Sequence, residues 1–427
     1  MLEFIHSHGM IISGAILLIA YIFIASEKIQ KSVVALVGAS LTMLLGLIPL
    51  SLNLEHNVKG VFEYVDFEVI FLLIGMMIIV NIASRSGVFK WLAINLLKLT
   101  KGHPKTVLFA LAAFTAIASA FLDNVTTVVL MMPITFVIAK EFETDPVPFL
   151  ITEVLASNIG GTATLIGDPP NIIIGTRAGL SFMNFVQELT PIVFLIFMVS
   201  IGVLIFLFRK GLKTTPEKME HVANLDNSKT ITNKNLMIRS VITLGLVILG
   251  FVTHDITHIQ TCVCAMLGAS VLLLFEKPTK ILESVEWTTI FFFIGLFIII
   301  GGLEASGGIA VMAKWLLNVT HGSESATAMV ILWGSGILSG IIDNIPYTAT
   351  MAPMIATIQS QMGADYAFPL WWCLSLGACL GGNMTIIGAA ANVIVTEAAA
   401  ARGHKIEFMK YLGYGILVTF VSLALCS

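Results

Sequence analysis

Residues 158–171 read Asn158-Ile159-Gly160-Gly161-Thr162-Ala163-Thr164-Leu165-Ile166-Gly167-Asp168-Pro169-Pro170-Asn171 in the middle of an otherwise apolar run. The glycines loosen a helix and Pro169-Pro170 cannot continue one, so a helix entering this stretch must unwind before it resumes. A second version lies 221 residues later, Gly381-Gly382-Asn383-Met384-Thr385-Ile386-Ile387-Gly388-Ala389-Ala390-Ala391-Asn392, with six of twelve positions identical to 160–171. Working outward, a shift of 220 carries Asp66 and Gly75 onto Glu286 and Gly295, Ser86-Gly87 onto Ser306-Gly307, Asp123-Asn124 onto Asp343-Asn344, and Pro133 onto Pro353. One register held over so long a stretch marks an internal duplication.

The setting of these copies is a bilayer. The chain has 427 residues, of which 57% are hydrophobic and only 11% charged, where a soluble protein carries about a quarter charged. Apolar runs at about 9–25, 33–50, 67–83, 106–139, 148–176, 191–208, 237–253, 259–275, 287–303, 325–360, 368–396 and 411–426 reach the roughly 20 residues that cross a membrane as helix. The alternating short segments of a barrel are missing. A net charge of −3 without a basic tail gives no case for nucleic acid. The five cysteines lack CxxC spacing, so neither a disulfide framework nor a zinc site is indicated. The first apolar run lacks a basic leader and is read as a span.

Basic residues set the orientation, because cytoplasmic loops are enriched in them. Lys28 and Lys31, then Arg85, Lys90, Lys98, Lys101 and Lys105, then the stretch carrying Arg209, Lys210, Lys213, Lys218, Lys229, Lys234 and Arg239, and finally Arg402, Lys405 and Lys410 are expected inside. Glu55, Glu63 and Asp66, with Lys59, are expected outside. The two copies then enter from opposite sides, the inverted-topology repeat of secondary transporters.

The expected fold is an all-α polytopic membrane protein with about ten spanning helices, two re-entrant hairpins and two broken helices. The expected organisation is N-terminal spans over 1–64, a first repeat over 65–208 (hairpin 106–139, broken helix 148–176), a cytoplasmic linker over 209–239, connecting spans over 240–285, and a second repeat over 286–427 (hairpin 325–360, broken helix 368–396). Arms of about 15 to 17 residues, short for spanning, favour the hairpin reading over two full spans joined by an outside turn. Val88–Leu99 reads as an interfacial amphipathic helix.

Polar residues at bilayer depth need a reason, since a carboxylate there costs roughly 2.5 to 3.5 kcal/mol on insertion scales. Asp123, Asn124, Thr126 and Thr127 interrupt the first long run, and Asp343, Asn344 and Thr348 the second. With Gly160, Gly161, Thr162, Thr164 and Asn171, and with Gly381, Gly382, Asn383, Thr385 and Asn392, they are the candidate substrate and ion ligands. Asn124, Thr162, Asn344 and Asn383 are candidate positions for a monovalent cation. Freed carbonyls and side-chain oxygens suit a hard cation, while half-helix N-termini favour an anion. A glycine-rich packing face is the bland alternative. Asp168 faces Ala389 in the repeat, which makes it either a one-sided functional carboxylate or a helix cap. Glu153 is a proton-relay candidate or a capping residue. His254, Asp255 and His258 read as a wet loop rather than a metal site.

FLDNVTTVVLMMPITF and NIGGTATLIGDPPNIIIG, with IIDNIPYTATMAPMI and LGGNMTIIGAAANV, resemble the ion transporter superfamily over about residues 30–425. The resemblance is to the branch of arsenite efflux permeases, D-type sodium/proton antiporters and the pink-eyed-dilution P protein, with its citrate-transporter-like domain. It implies a scaffold, a transport unit of hairpins and broken helices, elevator-like alternating access, frequent homodimers and a place in the cell (inner or plasma) membrane. Asp123, Asn124 and Thr126 with Gly160, Thr162 and Thr164 would form one ion half-site, and Asp343, Asn344 and Thr348 with Gly382, Asn383 and Thr385 the other. Dicarboxylate carriers of the superfamily have Ser-Asn-Thr tips; this chain has Asp-Asn in both, with no Arg or Lys near either tip in the sequence.

The expected function is therefore an ion-coupled secondary transporter of a small inorganic or organic ion, arsenite-type efflux first. Sodium/proton exchange is the alternative, a citrate-type carrier the lesser one, and a proton or sodium the coupling ion, with no cofactor. An intramembrane aspartyl protease fits poorly, because Gly-x-Gly-Asp is broken by Leu165 and no Tyr precedes Asp123. A passive channel would show uncoupled flux. No GxxxxGK[ST] loop is present, which leaves a separate ATPase subunit as the route to primary pumping.

Overall fold

The computed structural model describes residues 8–49, 60–212, 214–224, 227 and 230–427. Glu55, Lys59, Lys213 and Lys229 lie outside the described residues. All regular structure among the described residues is helical. Among the described residues eight helices are long and apolar enough to cross a membrane: Gly9–Ser26, Phe67–Arg85, Asn124–Phe142, Phe182–Phe208, Lys234–Val252, Trp287–Ala305, Glu324–Ile342 and Phe408–Cys426. Leu18, Phe194 and Leu246 on these helices, and Leu267 on the shorter Thr261–Leu273, are exposed, whereas Ser119, Asn158, Thr162, Asn171, Asn383 and Asn392 are buried. An apolar exterior around a polar interior is the arrangement a bilayer demands.

The repeat is carried helix by helix. Phe67–Arg85 corresponds to Trp287–Ala305, Val88–Leu99 to Gly308–Val319, and Asn124–Phe142 to Asn344–Met362. Each broken helix splits where the glycines and hydroxyls fall, into Val147–Gly161 and Pro169–Ala178, and into Ala364–Gly381 and Ala390–Ala401. The matched Ser-Gly pairs have a mechanical purpose. Gly87 (φ +84) and Gly307 (φ +81) adopt the left-handed conformation that turns each leading helix into its amphipathic successor.

Duplication also extends into the segments before each repeat. Lys31–Leu44 packs on Trp287–Ala305, and Thr261–Leu273 packs on Phe67–Arg85. The crossings use the matched glycines: a Cβ on Gly295 would stand 2.6 Å from the Ala35 carbonyl carbon, and one on Gly75 would stand 2.8 Å from that of Ala265. Small residues let such helices touch backbone to backbone, which is how apolar helices associate where lipid offers no hydrophobic contrast. Each half thus lends its preceding helices to the other half.

The hairpin arms correct one expectation. Pro104–Ser119 has 16 residues, and Asn124–Phe142, Glu324–Ile342 and Asn344–Met362 have 19 each. Three of the four exceed the expected 15 to 17, so arm length does not separate hairpin from double span; the position of the tips carries that argument.

Candidate functional site

Both tips are helix caps. Asp123 precedes Asn124–Phe142, and its carboxylate accepts the Thr126 N–H at 2.8 Å. Asp343 precedes Asn344–Met362 and accepts the Ile345 N–H at 3.0 Å. Asp is favoured at such positions because it satisfies orphan amides and meets the positive end of the helix dipole. The two differ in backbone. Asp123 is extended (φ −64, ψ 154), whereas Asp343 sits at φ +98, ψ 135. A non-glycine residue held there costs on the order of 1 to 3 kcal/mol and persists only where its surroundings impose it.

Lys31 is part of those surroundings. Its Nζ lies 2.5 Å from Asp343 Oδ2, bridging 312 residues of sequence. The expectation that no cation stands near either tip is thereby corrected: Lys31, counted as a connection residue by its charge, is the first residue of the helix Lys31–Leu44 and reaches to the second hairpin. Tyr21 adds a second link, donating to the Pro346 carbonyl at 2.5 Å and meeting the Thr350 hydroxyl.

Asp168, at the start of the half-helix Pro169–Ala178, accepts the Asn344 amide at 3.3 Å on each oxygen. This joins the broken helix of one repeat to the hairpin of the other. Asp123, Asn124, Asp168, Asp343 and Asn344 all line one cavity of about 230 Å³, together with Lys31, Glu286, Thr288 and Thr289. Both tips therefore meet the unwound segments at a shared interior space.

The electrostatics of this space nearly cancel. Helices beginning at Lys31, Asn124, Pro169, Trp287, Asn344 and Ala390 present their first turns to it. At roughly half a positive charge per N-terminus these supply about three charges, and Lys31 a fourth. Asp123, Asp168, Glu286 and Asp343 oppose them. Four of the six helix ends, where a foreign anion could settle, already have a carboxylate of the chain at the preceding position: Asp123, Asp168, Glu286 and Asp343.

Other sequence candidates lie behind the cavity and hold its walls. The Asn171 amide donates to the Thr162 and Thr164 carbonyls at 3.0 and 2.9 Å, and the Asn392 amide donates to those of Gly382 and Thr385 at 2.7 and 2.8 Å. The Thr162 hydroxyl donates to the Asn158 carbonyl, that of Thr164 to Ala120, and that of Thr385 to Gly340. Asn158 donates to Asn383 and Asn392, while Ser375 donates to Asn171, so the two broken helices are stitched across the repeat axis. A Cβ on Gly160 would meet the Ala116 backbone, on Gly161 the Asn124 side chain, on Gly381 the Gly336 backbone, and on Gly382 the Cys379 carbonyl. The Ser119 hydroxyl donates to Asn124 Oδ1 at 2.5 Å. Thr126 contributes its amide to Asp123, while the buried Thr127 and Thr348 hydroxyls do not line the cavity. Glu153 is buried and accepts the Thr135 hydroxyl at 2.6 Å, away from the cavity.

Sequence reasoning missed Lys31 and Glu286 as wall residues. Glu286 carries a legible signal, since it heads the second leading helix as Asp66 heads the first. Asp66 lines a much smaller cleft of about 40 Å³ at the opposite end, where Arg177 donates to Glu304 at 2.9 and 3.0 Å.

Duplicated halves, broken helices and acidic tips around an interior space define a polytopic membrane transporter. The chain matches the model of the citrate transporter family over residues 21–377 and belongs to that family. It is 41% identical over 421 residues to an uncharacterized transporter of Mycobacterium bovis, covering 98% of this chain and 97% of that one. It is 30% identical to the P protein of Mus musculus, covering 96% of this chain and 59% of that longer protein. The crystal structure of the YdaH transporter of Alcanivorax borkumensis superposes with a TM-score of 0.57 at 13% identity, covering 98% of this chain and 96% of that one, which is a likeness of fold.

Proposed function

We propose that this chain is an ion-coupled secondary transporter in which protons or monovalent cations bind at Asp123, Asp168 and Asp343, and in which the cargo is a small neutral or cationic solute. The supporting observation is that these three carboxylates share one cavity and each stands at a helix N-terminus that faces it. A citrate-like trianion entering it would meet Asp123, Asp168, Glu286 and Asp343, with Lys31 already engaged; like charges at low dielectric repel strongly. A neutral solute of the arsenous acid type, or sodium/proton exchange at the carboxylates, avoids that cost.

Alternating access follows an elevator-like path in this reading. The hairpins and broken helices form the moving unit; the leading helices and the helices packed on them form the frame. Among the described residues two ion pairs join unit to frame: Lys31 to Asp343 at one end and Arg177 to Glu304 at the other. The cavity lies at the Lys31 and Glu286 ends, which the charge distribution puts inside, while the Asp66 end is narrowed around the Arg177–Glu304 pair. This arrangement is inward-facing.

The test is flux in proteoliposomes under imposed pH or sodium gradients, with arsenite and sodium as separate cargoes. Transport driven by either gradient and lost in Asp123→Asn or Asp343→Asn is expected. Flux indifferent to both gradients, or full activity in both variants, would overturn the reading.

A further inference from the structure

Among the described residues Lys31 is the one basic side chain on the cavity wall, and its placement suits displacement better than permanent pairing. Asp343 is almost wholly enclosed, with its side chain 2% exposed, whereas that of Lys31 is 26% exposed. The carboxylate is thus fixed and the ammonium is the partner with a route to water. Lysine favours this use, because its charge sits on a flexible four-carbon stem rather than a rigid planar fork. The backbone adds to the asymmetry: Asp343 is held at φ +98, and its other oxygen accepts the Ile345 amide. Asp123, its repeat partner, has relaxed backbone and no ion pair among the described residues.

We infer that Lys31 is a tethered surrogate cation: its ammonium occupies, at Asp343, the place that a proton or monovalent cation takes during transport, so the two bind in exclusion. The inference rests on the proposed ion-coupled function and deepens it by assigning the competitor at one of the carboxylates. An enclosed carboxylate left unpaired is costly. In the cation-free state Lys31 covers it; in the loaded state the cation does, and Lys31 swings toward the open end. Because Lys31 belongs to the frame and Asp343 to the moving unit, loading also cuts one of the two ion pairs that hold the inward-facing arrangement. Cation binding and release for movement are then a single event. Asp123 has no such competitor, so the two tips bind cations with unequal strength despite their common ancestry.

The other charged or titratable groups around Lys31 are Glu27 on its own connection, Tyr21 on the preceding helix, Asp168 on the broken helix, Glu286 on the second leading helix, and Asp123 across the cavity. All but tyrosine are acidic, so removing the ammonium deepens the attraction for a cation at this place.

The experiment uses the purified full-length chain and follows thermal unfolding against sodium, lithium and pH for the wild type, Lys31→Gln, Lys31→Arg and Asp343→Asn. Lys31→Gln is expected to lower the half-saturating sodium or lithium concentration, or to raise the midpoint of the proton response, by about tenfold or more, the scale on which an adjacent opposite charge shifts an equilibrium. Lys31→Arg, whose fork is harder to displace, is expected to weaken the response, and Asp343→Asn to remove the part that depends on position 31. If Lys31→Gln does not fold, the wild-type and Lys31→Arg titrations decide alone, equal midpoints overturning the inference. A response identical in Lys31→Gln and the wild type overturns the inference and leaves ion coupling standing. No response to sodium, lithium or protons in any variant overturns both.

Discussion

Asn344, at the tip of the second hairpin, donates its amide to both oxygens of Asp168, which immediately precedes the second half of the first broken helix. The bond joins the two halves at the wall of the shared cavity, and it uses a residue whose repeat partner is Ala389, so it has no mirror image. The inverted repeat is thus symmetric in architecture and asymmetric in chemistry.

Asp168→Ala should slow transport about tenfold or more, because a hydrogen bond to a charged group contributes roughly 1.5 to 3 kcal/mol. The helix should survive, since Pro169 and Pro170 still start it. Initial-rate uptake in proteoliposomes, with circular dichroism as the folding control, checks this; unchanged rates would make Asp168 a cap only.

Asp343→Gly should unfold at a higher temperature than Asp343→Ala, by about 1 kcal/mol or more in stability. Both lose the Lys31 pair, but only glycine takes φ +98 without strain. Calorimetry of the two variants in the same detergent decides; equal stability would mean that position 343 stores no strain.

Gly295→Leu and Gly75→Leu should both fail to assemble, or lose more than about 3 kcal/mol, the upper end of ordinary overpacking cost. Their side chains would have to occupy the backbone of Ala35 and Ala265. Yield of monodisperse protein on size exclusion reads the outcome, and wild-type yield from either variant would contradict the crossing geometry.

Asp123→Ser combined with Asp343→Ser should let the cavity take up a small dicarboxylate such as succinate, which the wild type should not bind. The double change bares two helix N-termini and frees Lys31, turning a balanced cavity positive. Isothermal titration with succinate tests it, and absence of heat in the variant would show that the tips do not set the sign of the cargo.

Arg177 and Glu304 should couple weakly in stability, below about 1 kcal/mol in a double-mutant cycle, since both side chains are partly exposed. Their effect should instead appear in rate: Arg177→Ala should change turnover more than unfolding temperature. A large shift in unfolding with unchanged turnover would make the pair a plain staple.

Much of this architecture is legible in the chain. Hydropathy marks the spans, and the recurring Gly-Gly and Asp-Asn patterns mark the repeat and its breaks, because unwinding a helix at bilayer depth needs residue types that the rest of an apolar span avoids. The glycines at 160 and 381 illustrate the boundary of that reading. Their presence announces a special place, yet whether they admit a ligand or a neighbouring backbone depends on what lies opposite, and Ala116 and Gly336 lie opposite. Asn171 and Asn392 are similar: their amides hold the carbonyls of the unwound segments.

What the sequence determined by itself is the set of local events: where helices run, where they break, and which acidic residues interrupt otherwise apolar runs. These follow from nearest-neighbour chemistry and the cost of burying polar groups. Only the tertiary structure decided which events meet. Lys31 and Asp343 are brought together by the exchange of helices between halves, through the crossing of Gly295 and Ala35, and no local pattern encodes an encounter set by backbones far apart in the chain.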